Sequence, residues 1–251
     1  MRTDPSRRLG VLSAALVLTG VAACSSSSST TPTDTGKDSG ATTADAGGTG
    51  LNPDGVPYPS PSAGYGHTAR IGSTPGSVIQ NFKFQGRLAG STELTTISLA
   101  DYYDPCNKRY KILHLSVAAG WCEPCTEETQ AVVADLASSS SVLDKDKIVF
   151  IQALDDGVTE GVPATVTDLD NWISTYHSNF TEMLDPGLQN LAGFFVASSI
   201  PWNADFDVRT MEMLTSNTGW EGSVADEVAG GLAALPADPS YPIPASAKCP
   251  K

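Results

Sequence analysis

Cys122-Glu123-Pro124-Cys125, with Trp121 directly before it and the apolar run Lys111 to Val117 upstream, holds the residues best able to do chemistry in this chain. Two thiols two residues apart, where a strand hands over to a helix, can both sit on the first helical turn. There the backbone N–H groups lack intrahelical partners and the helix dipole presents its positive end, which favours a thiolate. A pair so placed can open and close by exchanging its bond with another disulfide.

The flanking sequence reads as the scaffold that would hold this pair. Val78 to Phe84 alternates as a first strand and Leu94 to Leu99 as a second, with Gly86 and Gly90 between. Lys111 to Val117 is nearly continuous in apolar residues, as expected of a central strand covered on both faces. A helix runs from Cys122 with Val132, Val133, Leu136 and Ala137 as its apolar stripe, and ends in the serine run before Leu143. Ile148 to Ile151 is a further buried strand. Thr167 is the expected cap of a helix carrying Leu169, Trp172, Ile173 and Tyr176. A short strand ends near Leu184, where Asp185-Pro186-Gly187 breaks it. Trp202 to Asp207 and Thr210 to Leu214 form a hairpin around Val208-Arg209, and a helix from Glu221 to Leu235 closes the domain. The fold class is α/β, a sandwich around a mixed central sheet.

The 251 residues, 40% of them apolar, suffice for one core of ordinary size. Arg2, Arg7 and Arg8 precede an apolar stretch from Leu9 to Leu18 that is too short for a stable membrane span, so residues 1–23 read as a secretion signal. Val21-Ala22-Ala23-Cys24 resembles the lipobox of bacterial lipoproteins, which makes Cys24 a lipid anchor. Residues 24–75 are rich in Ser, Thr, Gly and Pro and form the expected disordered tether, with a span of roughly 35–40 Å for a flexible coil. Its second half, Asn52-Pro53-Asp54-Gly55 and the prolines after it, reads as a turn and extended chain able to lie against the domain. Residues 76–251 are the folded domain. The net charge of −13 repels phosphate backbones, so nucleic acid is not an expected partner, and it gives no attraction to anionic headgroups. With Cys24 assigned to lipid, an exported chain keeps Cys106, Cys122, Cys125 and Cys249 in an oxidising compartment, where three pairings exist. The close pair is expected to bond with itself. Cys106 and Cys249 then either form a structural bridge or one of them serves as a third, resolving thiol.

Trp121-Cys122-Glu123-Pro124-Cys125 after a buried strand, Ile200-Pro201 just before a hairpin strand, and a closing helix resemble thioredoxin. The early Phe82-Lys83-Phe84-Gln85-Gly86 hairpin and the anchored N-terminus resemble the ResA/TlpA group of membrane-tethered thioredoxin-like proteins, over roughly Gly76 to Leu235. The resemblance implies a three-layer thioredoxin-like sandwich with an added N-terminal β-hairpin. It also implies Cys122 as the more exposed attacking thiolate, Cys125 as the resolving thiol, Glu128 as a carboxylate tuning the pair, and Pro201 as a cis-proline facing the sulfurs. Trp121, Glu123, Pro124 and Ile200 would border the substrate groove. Ser116 stands where thioredoxin keeps a buried aspartate, so that proton relay is missing. Glu123 adds negative charge that opposes thiolate formation and biases the pair toward reducing work, while Pro124 suits a helix start that needs no donor there.

Other chemistries fit poorly. Zinc wants about four ligands, and one Cys-x-x-Cys with His67, His114 and His177 scattered does not supply them. A peroxiredoxin would have threonine at the place of Ala119, and His114, inside the apolar run, reads as a packed core residue. No metal and no diffusible cofactor are expected, since the protein's own sulfurs carry the electrons. The expected function is thiol-disulfide exchange on exported protein clients with a redox partner protein, at the cell envelope and facing the periplasm or exterior, with an outer-membrane site compatible with Ser25. The rival reading is a lipid-anchored binding or scaffold module with a static disulfide.

Overall fold

The structure is a computed structural model that describes residues 50–59, 72–196, 198–240 and 242–249. The expected signal peptide, Cys24 and most of the tether lie outside the described residues. In chain order the elements are β1 (Lys83–Arg87), β2 (Thr95–Ser98), β3 (Ile112–Ala118), α1 (Glu123–Leu136), α2 (Val142–Asp146), β4 (Ile148–Leu154), α3 (Val166–Tyr176), β5 (Thr181–Leu184), β6 (Trp202–Asp207), β7 (Glu212–Thr218) and α4 (Val224–Ala234). The strands form one sheet in the order β2-β1-β5-β4-β3-β6-β7. β3, β4 and β5 run parallel, joined by crossovers through α1–α2 and through α3, and the remaining pairings are antiparallel. This is a thioredoxin-like sheet with the added β1–β2 hairpin at one edge.

The buried strands alternate between two cores. Leu113, Leu115 and Val117 of β3 join Ile151, Ala153, Trp202, Ala204 and Phe206 on one face. Ile112 and Ala118 point to the other face, where the helices bring Val132, Leu169, Val224 and Val228. The layers are unequal, because the face opposite the helices is covered by irregular chain and a short 3-10 turn at Leu99–Tyr102. Part of that cover is Gly50–Pro59, the half of the expected tether whose sequence reads as a turn and extended chain able to lie against the domain. Val56 and Tyr58 are core residues there. The Asn52 side-chain amide donates to the Tyr103 carbonyl (2.9 Å), and the Tyr58 hydroxyl donates to that of Ile79 (3.0 Å). Three side chains in ten residues anchor the turn and extended chain read there from the sequence.

Other departures have local causes. The first strand begins at Lys83, since Asn81 accepts from the Ser98 hydroxyl and the Ala100 amide and draws the chain before it out of the ladder. α3 is capped by Thr165, which accepts from the Asp168 amide while Asp168 accepts from the Thr165 amide, and Thr167 lies inside the helix. α2 follows the serine run because Asp135 of α1 accepts from the Val142 and Leu143 amides, satisfying donors at the new helix start. The hairpin turn extends through Met211 (φ 55°), so β7 starts at Glu212. Cys106 and Cys249 are disulfide-bonded, fastening the tail beside the stretch that leads into β3. No described helix is long and apolar enough to cross a membrane.

Candidate active site

β3 ends at Ala118, and a tight connection delivers the dithiol to the head of α1. Gly120 is required there, since a Cβ would lie 2.8 Å from the backbone of Gly157. The Gly120 amide donates to the Asp156 carbonyl (3.0 Å) and the Trp121 indole N–H to the Asp156 carboxylate (3.2 Å), so the loop is held from the end of β4. Cys122 is the cap of α1, its Sγ accepting from the Cys125 amide (3.2 Å). That places the sulfur against the unpaired amides and positive end of the helix. Cys122 and Cys125 are bonded to each other. Cys122 is 3% exposed and Cys125 0%, so approach from outside reaches Cys122 first. The Ile200-Pro201 peptide is cis, and Ile200 and Trp121 pack half-buried against the cluster that contains both cysteines. Glu123 and Pro124 stand exposed on the outer side of the turn.

One turn beyond Cys125, Glu128 is wholly buried. Its Oε2 accepts from the Ser116 hydroxyl (2.8 Å) and its Oε1 has no hydrogen-bond partner. A carboxylate thus does sit against Ser116, supplied by the helix and not by the strand. Burial raises the Glu128 pKa to about 7, against the pull of His114 and the Ser116 hydrogen bond, with Glu227 adding to the rise. The neighbouring polar groups are all paired: Gln152 accepts from the Thr129 hydroxyl and the Trp172 indole, both at 3.1 Å.

His114, two residues before Ser116 on the same face, is a packed and hydrogen-bonded core residue. Its Nδ1 lies 2.8 Å from Asp205 Oδ1 and its Nε2 3.2 Å from Asn203 Oδ1. The Asn203 amide nitrogen donates to the Gly219 carbonyl (3.4 Å), which fixes its oxygen toward the ring. Both ring nitrogens therefore face side-chain oxygens, an arrangement that an imidazolium satisfies by donating from both. Burial works against that charge, but attraction and hydrogen bonding from Asp205, with Glu128 and Glu227 behind them, outweigh it and lift the pKa to about 9. Ligand-type atoms of His114, Glu128 and Glu227 lie within 4.8 Å of one another. A cation bound to His114 would have to displace Asp205 or Asn203, so the arrangement suits protons better.

Beside Trp121 opens a cleft of about 340 Å³ lined by Asp155, Asp156, Glu160 and Leu188 among others. Burial and then the Asp156 charge raise the Asp155 pKa to about 7. Sequence reasoning gathered Trp121, Cys122, Cys125, Glu128 and Ile200, but missed Asn203, Asp205, Gln152, Glu227 and Asp156. A signal existed for the first two. The helix-facing positions of β6 are all polar (203, 205 and 207) and so are the middle two of β3 (114 and 116), which is unusual for strands covered on both faces.

No protein-family model matches the chain, and no curated protein matches it. Solved structures do resemble it. A thioredoxin-family thiol:disulfide interchange protein from Chlorobium tepidum is 17% identical, with a TM-score of 0.46 over 68% of this chain and 100% of that one. A secreted disulfide oxidoreductase of Mycobacterium tuberculosis is 17% identical (TM-score 0.42; 62% and 96%). An exposed lipoprotein thioredoxin of Streptococcus pneumoniae is 21% identical (TM-score 0.43; 62% and 99%). The fold stands on the strand order and crossovers, and the chemistry on the site's own atoms, not on these likenesses.

Proposed function

We propose that this chain is a thiol-disulfide oxidoreductase that reduces disulfides of exported proteins through Cys122 and Cys125. The observation that carries the reading is the Cys122–Cys125 bond at the head of α1, flanked by Trp121 and by Ile200 before the cis-proline. In the dithiol form, Cys122 attacks a client disulfide as thiolate, making a mixed disulfide and releasing one client sulfur. Cys125 then attacks Cys122, closing the internal bond and releasing the second. Two electrons pass from the protein to the client. Glu128 takes the Cys125 proton, and Glu123 beside the sulfurs favours the reducing direction by opposing excess thiolate stability. A second protein restores the dithiol. Cys24 carries the lipid that holds the domain at the cell envelope.

Reduction of insulin, followed for wild type beside Cys122→Ser, tests the reading. Turnover in the wild type and none in the variant is the expected result, and Cys125→Ala should accumulate client mixed disulfides. The shallow exposure of Cys122 favours one other reading, a binding module with a static disulfide. That reading takes over if the internal bond resists mild reductant and the wild type shows no turnover.

A further inference from the structure

Glu128 presents a chemical difficulty that its own helix does not resolve. A wholly buried carboxyl group with one unpartnered oxygen is costly to ionise, yet only the ionised form can take a proton from Cys125, one helical turn away. The compensating charge comes from the sheet. The His114 ring is gripped edge-on by Asp205 and Asn203 of β6, and its face stacks on Phe150 of β4 with centroids 5.2 Å apart. Asp205 is itself fixed by the Thr215 hydroxyl of β7 (2.8 Å). Gly231 of α4 leaves room for it, since a Cβ there would lie 2.3 Å from the Asp205 carboxylate. The ring is thus held at both nitrogens and on one face, and one of its nitrogens and one carboxylate oxygen each of Glu128 and Glu227 lie within 4.8 Å of one another.

Resting on the oxidoreductase reading above, we propose that His114 is a positioning residue for disulfide exchange: locked between Asp205 and Asn203, it supplies the buried positive charge that lets Glu128 serve as an ionised base beside Cys125. The groups that face this charge are Glu128 from α1, Asp205 from β6 and Glu227 from α4. Beyond them, the Glu221 amide in the β7–α4 loop donates to Glu227 (3.1 Å) and the Asn217 side chain of β7 does the same (3.2 Å). Glu227 opposes ionisation of Glu128, so the net effect depends on the imidazolium being present. The elevated pKa of His114 agrees with a ring that stays charged through neutral pH. In the resolving step the Cys125 S–H bond breaks and its proton goes to Glu128. The Cys125 sulfur bonds to Cys122, the electron pair of the mixed disulfide leaves with the client sulfur, and Glu128 returns its proton to water.

The test uses the full chain in its dithiol form with 5,5′-dithiobis(2-nitrobenzoate), from pH 5.5 to 9.5. Release of the first thiolate reports attack by Cys122 and release of the second reports resolution by Cys125. In His114→Asn the pH midpoint of the second release should rise by about one unit, so that resolution at pH 7 slows roughly fivefold, with the first release much less changed. Asp205→Asn should move the midpoint the same way. Combined with Glu128→Gln, His114→Asn should add nothing further, because it acts through that carboxyl group. A His114→Asn profile that overlays a functioning wild type overturns the role and leaves exchange standing, as does an additive double variant. A wild type that releases no second thiolate overturns the exchange reading itself. One measurement needs no variant: nitrogen NMR of the wild-type ring should find both nitrogens protonated at pH 7, and a neutral imidazole there overturns the role even if every variant misfolds.

Discussion

Glu182 of β5 has almost no exposure, and one of its carboxyl oxygens has no hydrogen-bond partner. Burial lifts its pKa from 4.5 to about 8, so the folded protein holds it neutral where the unfolded chain would ionise it. Its support of the fold is complete below pH 4.5 and is lost as pH rises through about 8, at a rate of at most about 1.4 kcal/mol per pH unit. Urea unfolding at pH 5.5 and at pH 8 should therefore find the wild type weaker at pH 8, and Glu182→Gln should narrow that difference. Equal differences in the two proteins would mean that this carboxyl titrates like a free one. Glu128 acts in the same direction over pH 4.5 to about 7. His114 does so over a higher window, its contribution complete below 6.5 and gone only above about 9. The buried titrating residues thus agree in favouring the acidic side of neutrality.

Among the elements, α3 depends most visibly on a few atoms, its start being fixed by the reciprocal Thr165 and Asp168 hydrogen bonds. Thr165→Ala should lower the denaturation free energy by about 1 kcal/mol, and Thr167→Ala by much less, in parallel urea titrations. If the two variants behave alike, the cap contributes nothing. The misplacement of this cap in the sequence illustrates what was legible and why. β3 and β4 could be read because strands covered on both faces are nearly unbroken in apolar residues. The head of α1 could be read because Cys-Glu-Pro-Cys has only a few structural uses. Choosing between Thr165 and Thr167 required the phase of a helix, which two threonines at that spacing do not fix. The start of β1 turned on Asn81 reaching Ser98 and Ala100, and α2 on Asp135 reaching past the serine run. Such side chain to backbone contacts bind residues whose types carry no periodic pattern. The His114 network hid for a related reason: the polar positions of β3 and β6 mark two strands as unusual, but the charge balance exists only once β3, β6, α1 and α4 meet.

Across the whole molecule, the chain after α4 is tied down at separated points. The Arg209 guanidinium, paired with Asp207, donates to the Pro236 and Ala237 carbonyls (2.7 and 3.0 Å), and Cys249 is bonded to Cys106 across 143 positions. Closing so long a loop restricts the unfolded chain strongly. Replacing Cys106 and Cys249 by Ser should lower stability by about 4–5 kcal/mol in non-reducing denaturation, with exchange at Cys122 retained. Loss of exchange in a variant that remains folded would instead make one of the two a resolving thiol. The far end of the chain sets a different limit. Asn52, Val56 and Tyr58 are built into the face opposite the helices, so a chain severed just after Pro59 would leave a gap where two buried side chains had been. A shed or truncated version that keeps its native packing must therefore begin upstream of Asn52, well before the sheet itself starts.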